Sequence, residues 1–276
     1  MKRTVGREEF FTAPDLARRC VAFAGSLLPL EGFDLVVEPS AGAGAFLSHL
    51  PADRTLGLDL VPRHPGVTGT DFLSWAPPPG AGRVLTVGNP PFGQRGALAM
   101  RFLDHACGFS HAVAFILPRS FNKWTFTNRV DPHFHLAGAF DCDGFLDPDG
   151  RAVSVRTVFQ VWERQPVPRA LVEPPASHPD FEMRHAHLSR VSEAERARLR
   201  RDYAFTVPQV GADFRPRDAA TVDRGSHWFI RPLVDGVRER FERLDFGFLD
   251  GMNTAHTSLS KRDIVAAYVS AGVPRP

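Results

Sequence analysis

The apolar run Val84-Leu85-Thr86-Val87 stops abruptly at Gly88-Asn89-Pro90-Pro91-Phe92-Gly93. This junction constrains the fold more than any other stretch of the 276 residues. A short apolar run ending in a diproline turn predicts a buried strand that stops at a fixed corner. In an open parallel α/β sheet, that carboxyl end is where ligands sit. Neither proline donates a backbone hydrogen bond and each fixes its own φ, so the Pro90 carbonyl is held in place and left to accept. The Asn89 amide oxygen stands beside it as a second acceptor. Two acceptors and the Phe92 ring suit a planar base carrying an exocyclic NH2: the acceptors take its two N–H groups and Phe92 covers its face. The bland alternative is a proline-rich turn between a strand and a helix.

Upstream, Leu35-Val36-Val37 is followed by Glu38-Pro39-Ser40-Ala41-Gly42-Ala43-Gly44-Ala45-Phe46-Leu47. An apolar strand, an acid at its end, two glycines spaced by one and a helix start describe the nucleotide-binding turn of a doubly wound sheet. Gly42 and Gly44 let the backbone approach a ligand where a Cβ would collide. Leu47 occupies the place of the third glycine of the dinucleotide fingerprint, which is less needed where there is no pyrophosphate to cradle. A second strand, Thr55 to Leu60, brings Asp59, an acid able to accept from both hydroxyls of a ribose. Thr68-Gly69-Thr70-Asp71-Phe72 follows. Any one of these acids alone reads equally as a surface carboxylate.

With these parts in order, Asn89-Pro90-Pro91-Phe92 resembles the catalytic tetrapeptide of S-adenosylmethionine-dependent amino-methyltransferases acting on adenine N6 in nucleic acids. The arrangement over residues 8–164 is similar to the gamma-type DNA adenine methyltransferases, and the likeness does not extend further. The resemblance implies a Rossmann-like methyltransferase sheet of seven strands with an antiparallel edge, followed by a small C-terminal α+β appendage. It implies S-adenosylmethionine as cofactor, its methionine end near Phe11, Thr12 and Glu38, and the turn Pro39, Ser40, Ala41, Gly42, Gly44 and Phe46 around it. Asp59 would hold the ribose, Asp71 the adenine amino group, and Phe72 or Leu60 the ring, with Asn89 reaching cofactor and target alike. Catalysis would belong to Asn89, Pro90, Pro91 and Phe92, and a nucleic-acid partner to the cation-aromatic loop containing Arg119, Phe121 and Lys123. That loop reads equally as a helix cap with a hydrophobic anchor. RNA, cytosine N4 and protein glutamine remain open as targets, as does a non-catalytic nucleic-acid-binding module.

Composition sets the outer limits. A hydrophobic content of 43% supports a folded core, and a net charge of +2 neither requires nor excludes a polyanion partner with local contacts. Cys20, Cys107 and Cys142 show no metal-type or redox-type spacing and read as small buried apolar residues. None follows a proline, which disfavours the Pro-Cys chemistry of cytosine C5 methylation. No metal site is expected. The absence of a membrane-length apolar run and the charged start Met1-Lys2-Arg3-Thr4 predict a soluble cytoplasmic protein.

Along the rest of the chain, Thr12 with Asp15 predicts a capping box for a helix whose inner face is Leu16, Cys20, Phe23 and Leu27. A helix is expected over 94–109, a fifth strand over 111–117, and two last strands at 135–140 and 153–162 joined by a turn at Asp147-Pro148-Asp149-Gly150. The domains are expected at 1–164 for the catalytic part, 165–179 for a proline-rich linker and 180–276 for substrate recognition. In the last, Ser192 and Ser260 are candidate caps, 226–230 a strand and 233–244 a helix. The arginines from 196 to 201 read as a solvated face, and Met252 to Arg262 as a polar stretch suited to phosphate or to plain solvent.

Overall fold

The computed structural model describes residues 11–147, 149–211, 213–247 and 258–272. The chain divides into two compact units, with the boundary between Leu171 and Val172. The charged start, Pro148 and residues 252–257 of the polar stretch lie outside the described residues.

In the first unit, β1 (Leu35–Glu38), β2 (Thr55–Asp59), β3 (Val67–Gly69), β4 (Val84–Gly88), β5 (Ala112–Pro118), β6 (Phe134–Cys142) and β7 (Thr157–Arg164) form one sheet. The order is β3-β2-β1-β4-β5-β7-β6. The first five strands pair in parallel. β7 runs antiparallel to both of its neighbours, so the antiparallel part is a single strand one place in from the edge. Along β5, Ala112, Ala114 and Ile116 join one core while Val113, Phe115 and Leu117 join the other. A strand buried on both faces loses polar alternation and reads as a continuous apolar run. α1 (Pro14–Leu27) contributes to the first core and α2 (Ala97–Cys107) to the second. All three cysteines are buried and unpaired.

Several local expectations change. α1 starts at Pro14 with Ala13 as its uncapped N-cap, and Thr12 is no cap at all. Phe11 and Thr12 instead pair with Leu146 and Phe145, which pair in turn with Ala152 and Val153. The segment expected to form one simple turn between the last two strands is therefore a small ribbon that anchors the N-terminal strand. Asp15 meets Arg18 at the surface. The buried face of α1 is Leu16, Ala17, Cys20, Val21 and Ala24, while Leu27 is exposed. After β1 no α-helix forms; the chain makes turns and one 3-10 turn, Leu47–His49. Gly42 and Gly44 take positive φ and Pro51 follows closely. Too few residues remain between them to extend a costly helical nucleus. α2 likewise begins only after a tight turn at Gln94–Gly96.

In the second unit, β8 (Phe181–His187), β9 (Phe205–Pro208) and β10 (Ser226–Pro232) form an antiparallel sheet with β10 central, and Arg217–Asp218 adds an outer pair beside β9. Ser192 caps α3 (Glu193–Asp202) by accepting the Glu195 N–H at 3.2 Å. The expected helix over 233–244 shrinks to α4 (Val237–Phe241), which starts after Gly236 in the left-handed region. At α5 (Lys261–Gly272), Ser260 and Asp263 exchange side-chain and backbone bonds of 3.2 and 2.8 Å, a reciprocal capping box.

The proline-rich stretch 165–179 is not a loose tether. The Arg169 guanidinium donates to the carbonyls of Phe134 at 3.0 Å and Val130 at 2.9 Å, within the first unit. Glu173 accepts from Arg262 at 2.6 Å, within the second. No described helix is long and apolar enough to cross a membrane.

Leu103 on α2 is fully buried in the same core as Phe115 and Leu117. Leu103→Ala should lower the free energy of unfolding by about 2–5 kcal/mol. A urea titration should show this as a shift in midpoint at constant slope.

Candidate active site

The strand ends of β1, β2 and β4 open onto a cavity of the first unit, and the residues around it come from five separated segments and from Phe102 on α2. Phe11 and Thr12 enter from the N-terminal strand, held there by the pairing with Leu146 and Phe145. Glu38, Pro39, Ser40, Ala41, Gly42 and Phe46 form the turn after β1. Asp59 and Leu60 end β2, Asp71 and Phe72 follow β3, and Asn89, Pro90, Pro91 and Phe92 follow β4.

Four of the expected site residues do not line this cavity: Gly44, Arg119, Phe121 and Lys123. Gly44 takes a φ of 83°, and a Cβ there would stand 3.0 Å from the His64 ring, so this glycine accommodates a neighbouring side chain. Arg119 is paired with Asp141 at 2.7 Å. Phe121 is 1% exposed in the core and stacks on Phe126 at 4.6 Å, which removes it as a platform for a base. Lys123 is the N-cap position of the short helix Trp124–Thr127.

Asn89 is held once through its side chain and once through its backbone. Its Nδ2 donates to the Thr12 hydroxyl at 3.1 Å, and the Ser40 hydroxyl donates to its backbone carbonyl at 2.9 Å. Asn89 Oδ1 is left buried with no partner. A buried acceptor in that state costs about 1–3 kcal/mol, which a donor from a bound molecule would offset. Pro90 is buried beside it, and Phe92 packs against both cores while also facing the cavity.

Glu38 is 2% exposed, and its Oε2 is the second orphaned oxygen on the cavity wall. Burial pushes its carboxyl well above the ordinary carboxylate range. The backbone N–H groups of Leu47 and Phe46 oppose that push, and the negative charge of Asp59 adds to it. A cation in the cavity would relieve this penalty. The Asp59 carboxylate accepts from the Gly42 and Val61 N–H groups at 2.8 and 2.9 Å and keeps lone-pair capacity for a ligand. Asp71 caps the turn after β3 by accepting the Leu73 N–H at 3.0 Å. Phe72 is packed among Phe102, Trp75 and His105, whereas Leu60 is 53% exposed and better placed to meet a ring.

The sequence reading missed Arg63, Thr70 and Phe102 on the cavity wall. The Arg63 guanidinium lies 4.9 Å from the Phe11 ring centre. Its signal in the sequence was a cation four residues beyond the acid that ends β2. No group of metal-ligating side chains is found among the described residues.

No protein-family model matches the chain, and no curated protein matches it either. Among solved structures, a candidate RNA methyltransferase of Pyrococcus horikoshii is similar at 19% identity and a TM-score of 0.44, over 57% of this chain and 88% of that one. The 23S rRNA methyltransferase ErmE is similar at 21% identity and 0.41, over 61% and 74%. Magnesium protoporphyrin IX methyltransferase from Synechocystis PCC 6803, solved with bound S-adenosylmethionine, gives 13% and 0.38, over 55% and 79%. At such identities and scores these likenesses carry no functional weight, and the chemistry rests on the cavity's own residues.

The raised Glu38 carboxyl makes the folded state bind a proton that the unfolded chain releases earlier. Stability from this group is fully present below the ordinary carboxyl range and is lost as pH rises through its raised folded value. Glu38→Gln should therefore match the wild type in acid and become progressively more stable than it as pH rises. Urea midpoints across a pH series of the ligand-free protein check this; a constant gap between the two would remove the buried charge as its cause.

Proposed function

We propose that the first unit transfers a methyl group from S-adenosylmethionine to the exocyclic N6 of adenine in a nucleic acid, with DNA the first substrate to assay and RNA the second. The observation that carries this reading is the Asn89 amide: its nitrogen is engaged by Thr12, and its buried oxygen is without a partner on the wall of a cavity.

The residues present fit the cofactor. A buried carboxyl with an orphaned oxygen, Glu38, suits a cationic ligand, and Asp59 at the end of β2 suits a ribose. Asp71 and Leu60 take the adenine end. When bound, S-adenosylmethionine supplies an electrophilic methyl group on a sulfonium sulfur.

The target amine needs help because its lone pair is delocalised into the purine ring. Asn89 Oδ1 and the Pro90 carbonyl accept its two N–H groups, which favours a pyramidal nitrogen with its lone pair directed away from both acceptors. Pro90 and Pro91 stiffen the corner, so the acceptors are positioned before the substrate arrives. Phe92 stacks on the base, a contact worth on the order of 1–3 kcal/mol that helps offset unstacking. Catalysis is then positioning and electrostatics, with no side-chain nucleophile required.

Incubating the purified chain with isotopically labelled S-adenosylmethionine and separate DNA, RNA and protein pools, then digesting for mass spectrometry, tests the reading. N6-methyladenosine or its deoxy form is expected. Label in glutamine, in cytosine, or in no pool would overturn it. Asn89→Ala should lower turnover by at least about 100-fold, while calorimetry shows S-adenosylmethionine affinity changed by less than a few-fold. Asp59→Ala should act on the other side, weakening that affinity by about 1.5–3 kcal/mol. Unchanged binding would take Asp59 away from the ribose.

A further inference from the structure

The chain leaves the tetrapeptide through Gly93-Gln94-Arg95-Gly96, and this short loop holds the one non-glycine residue with positive φ among the described residues. Arg95 sits at φ 53° and ψ 30°, in the left-handed region that an L-residue occupies only at a cost. The glycines on either side explain how the loop is held. A Cβ on Gly93 would stand 2.7 Å from the Leu98 Cβ, and one on Gly96 would stand 2.8 Å from the Phe121 ring. The loop is thus pressed against α2 and against the buried Phe121, and its backbone has little freedom to relax.

Arg95 itself is exposed. Among the described residues it has no carboxylate, carbonyl or ring partner, in contrast to Arg119, which is bound to Asp141. A long cationic side chain on a strained, immobilised backbone, three residues after a ring that faces the cavity, is a poor choice for stability. Glycine would take the same φ without strain. Strained backbone of this kind clusters at binding and active sites, and Arg95 follows the cavity-lining Phe92 by three residues.

We infer that Arg95 contacts a backbone phosphate of the polynucleotide next to the nucleotide whose base enters the Asn89 cavity. The inference rests on the reading of the substrate as a nucleic acid. Phosphate contacts position a strand without reading its sequence, and each one releases counterions, so they leave a signature in salt dependence.

The test measures binding of fluorescent random-sequence single-stranded oligonucleotide pools, DNA and RNA in parallel, as a function of salt, with thermal melting of every variant. Arg95→Gln is compared with Arg101→Gln, which removes the same charge from an exposed position on α2. Arg95→Gly separates the side chain from the strain. Arg95→Gln and Arg95→Gly should each weaken binding at low salt about 3- to 10-fold and reduce the slope of log K against log salt by about 0.7. Arg95→Gly should do so at an unchanged or raised melting temperature, while Arg101→Gln leaves both affinity and slope as in the wild type. The inference is overturned if both Arg95 variants bind like Arg101→Gln, or if the wild type binds neither pool. Failure of the methyl-transfer reading looks different: no label enters any nucleic acid, yet binding to the pools still depends on Arg95.

Discussion

The Asn89 side chain is the point on which the first unit turns. An asparagine amide at the end of a strand is free to rotate, and a rotated amide would present a donor where an acceptor is needed. In the orientation observed, the Thr12 hydroxyl accepts from the amide nitrogen, which leaves the oxygen as the unpartnered acceptor. The Ser40 hydroxyl fixes the backbone carbonyl of the same residue. Thr12 and Ser40 lie 77 and 49 residues from Asn89 in sequence. The acceptor geometry therefore exists only once the N-terminal strand, the turn after β1 and the end of β4 have been assembled by the fold.

That dependence explains what the sequence did and did not reveal. Strands such as β4 and β5 were legible because burial on both faces leaves a continuous apolar run. The acids at strand ends were legible because each interrupts such a run. Thr12 is ambiguous in sequence because a hydroxyl just before a helix suits an N-cap as well as it suits a partner far along the chain. The helix expected after the glycine turn was absent for a similar reason: Ala45 to Leu50 has helical character locally, and it is the confinement between Gly44 and Pro51 that decides. Phe121 looked like a base platform because it stands among cations in sequence. Its ring instead joins the second core, stacked on Phe126 and fitted against Gly96, contacts that no local pattern announces.

The cavity also concentrates a cost. Glu38 and Asn89 each bring a buried oxygen without a partner, and Glu38 lies within the influence of Asp59, a like charge. Neither oxygen does anything for the fold that an apolar side chain would not do better. On the proposed function their persistence is preorganisation, one position suited to positive charge and the other to an N–H. The two needs sit on adjacent strands, β1 and β4, whose parallel pairing sets their separation. A single geometric feature of the sheet thus brings the buried carboxyl and the buried amide together.

The arginine-rich second unit invites the opposite conclusion, that recognition of a polyanion is concentrated there. Its charge pattern argues otherwise. On α3, Arg196 meets Glu193, and Arg198 and Arg201 both meet Asp202, all within four residues. Arg184 on β8 reaches Glu195 on α3, and across the sheet Arg231 reaches Glu182. Exposed pairs of this kind add little stability, but they do neutralise the field that a phosphate backbone would feel. A basic count along a helix is therefore not a basic surface: of the four arginines on α3, Arg200 alone has no carboxylate partner among the described residues, its guanidinium donating to the Val222 carbonyl.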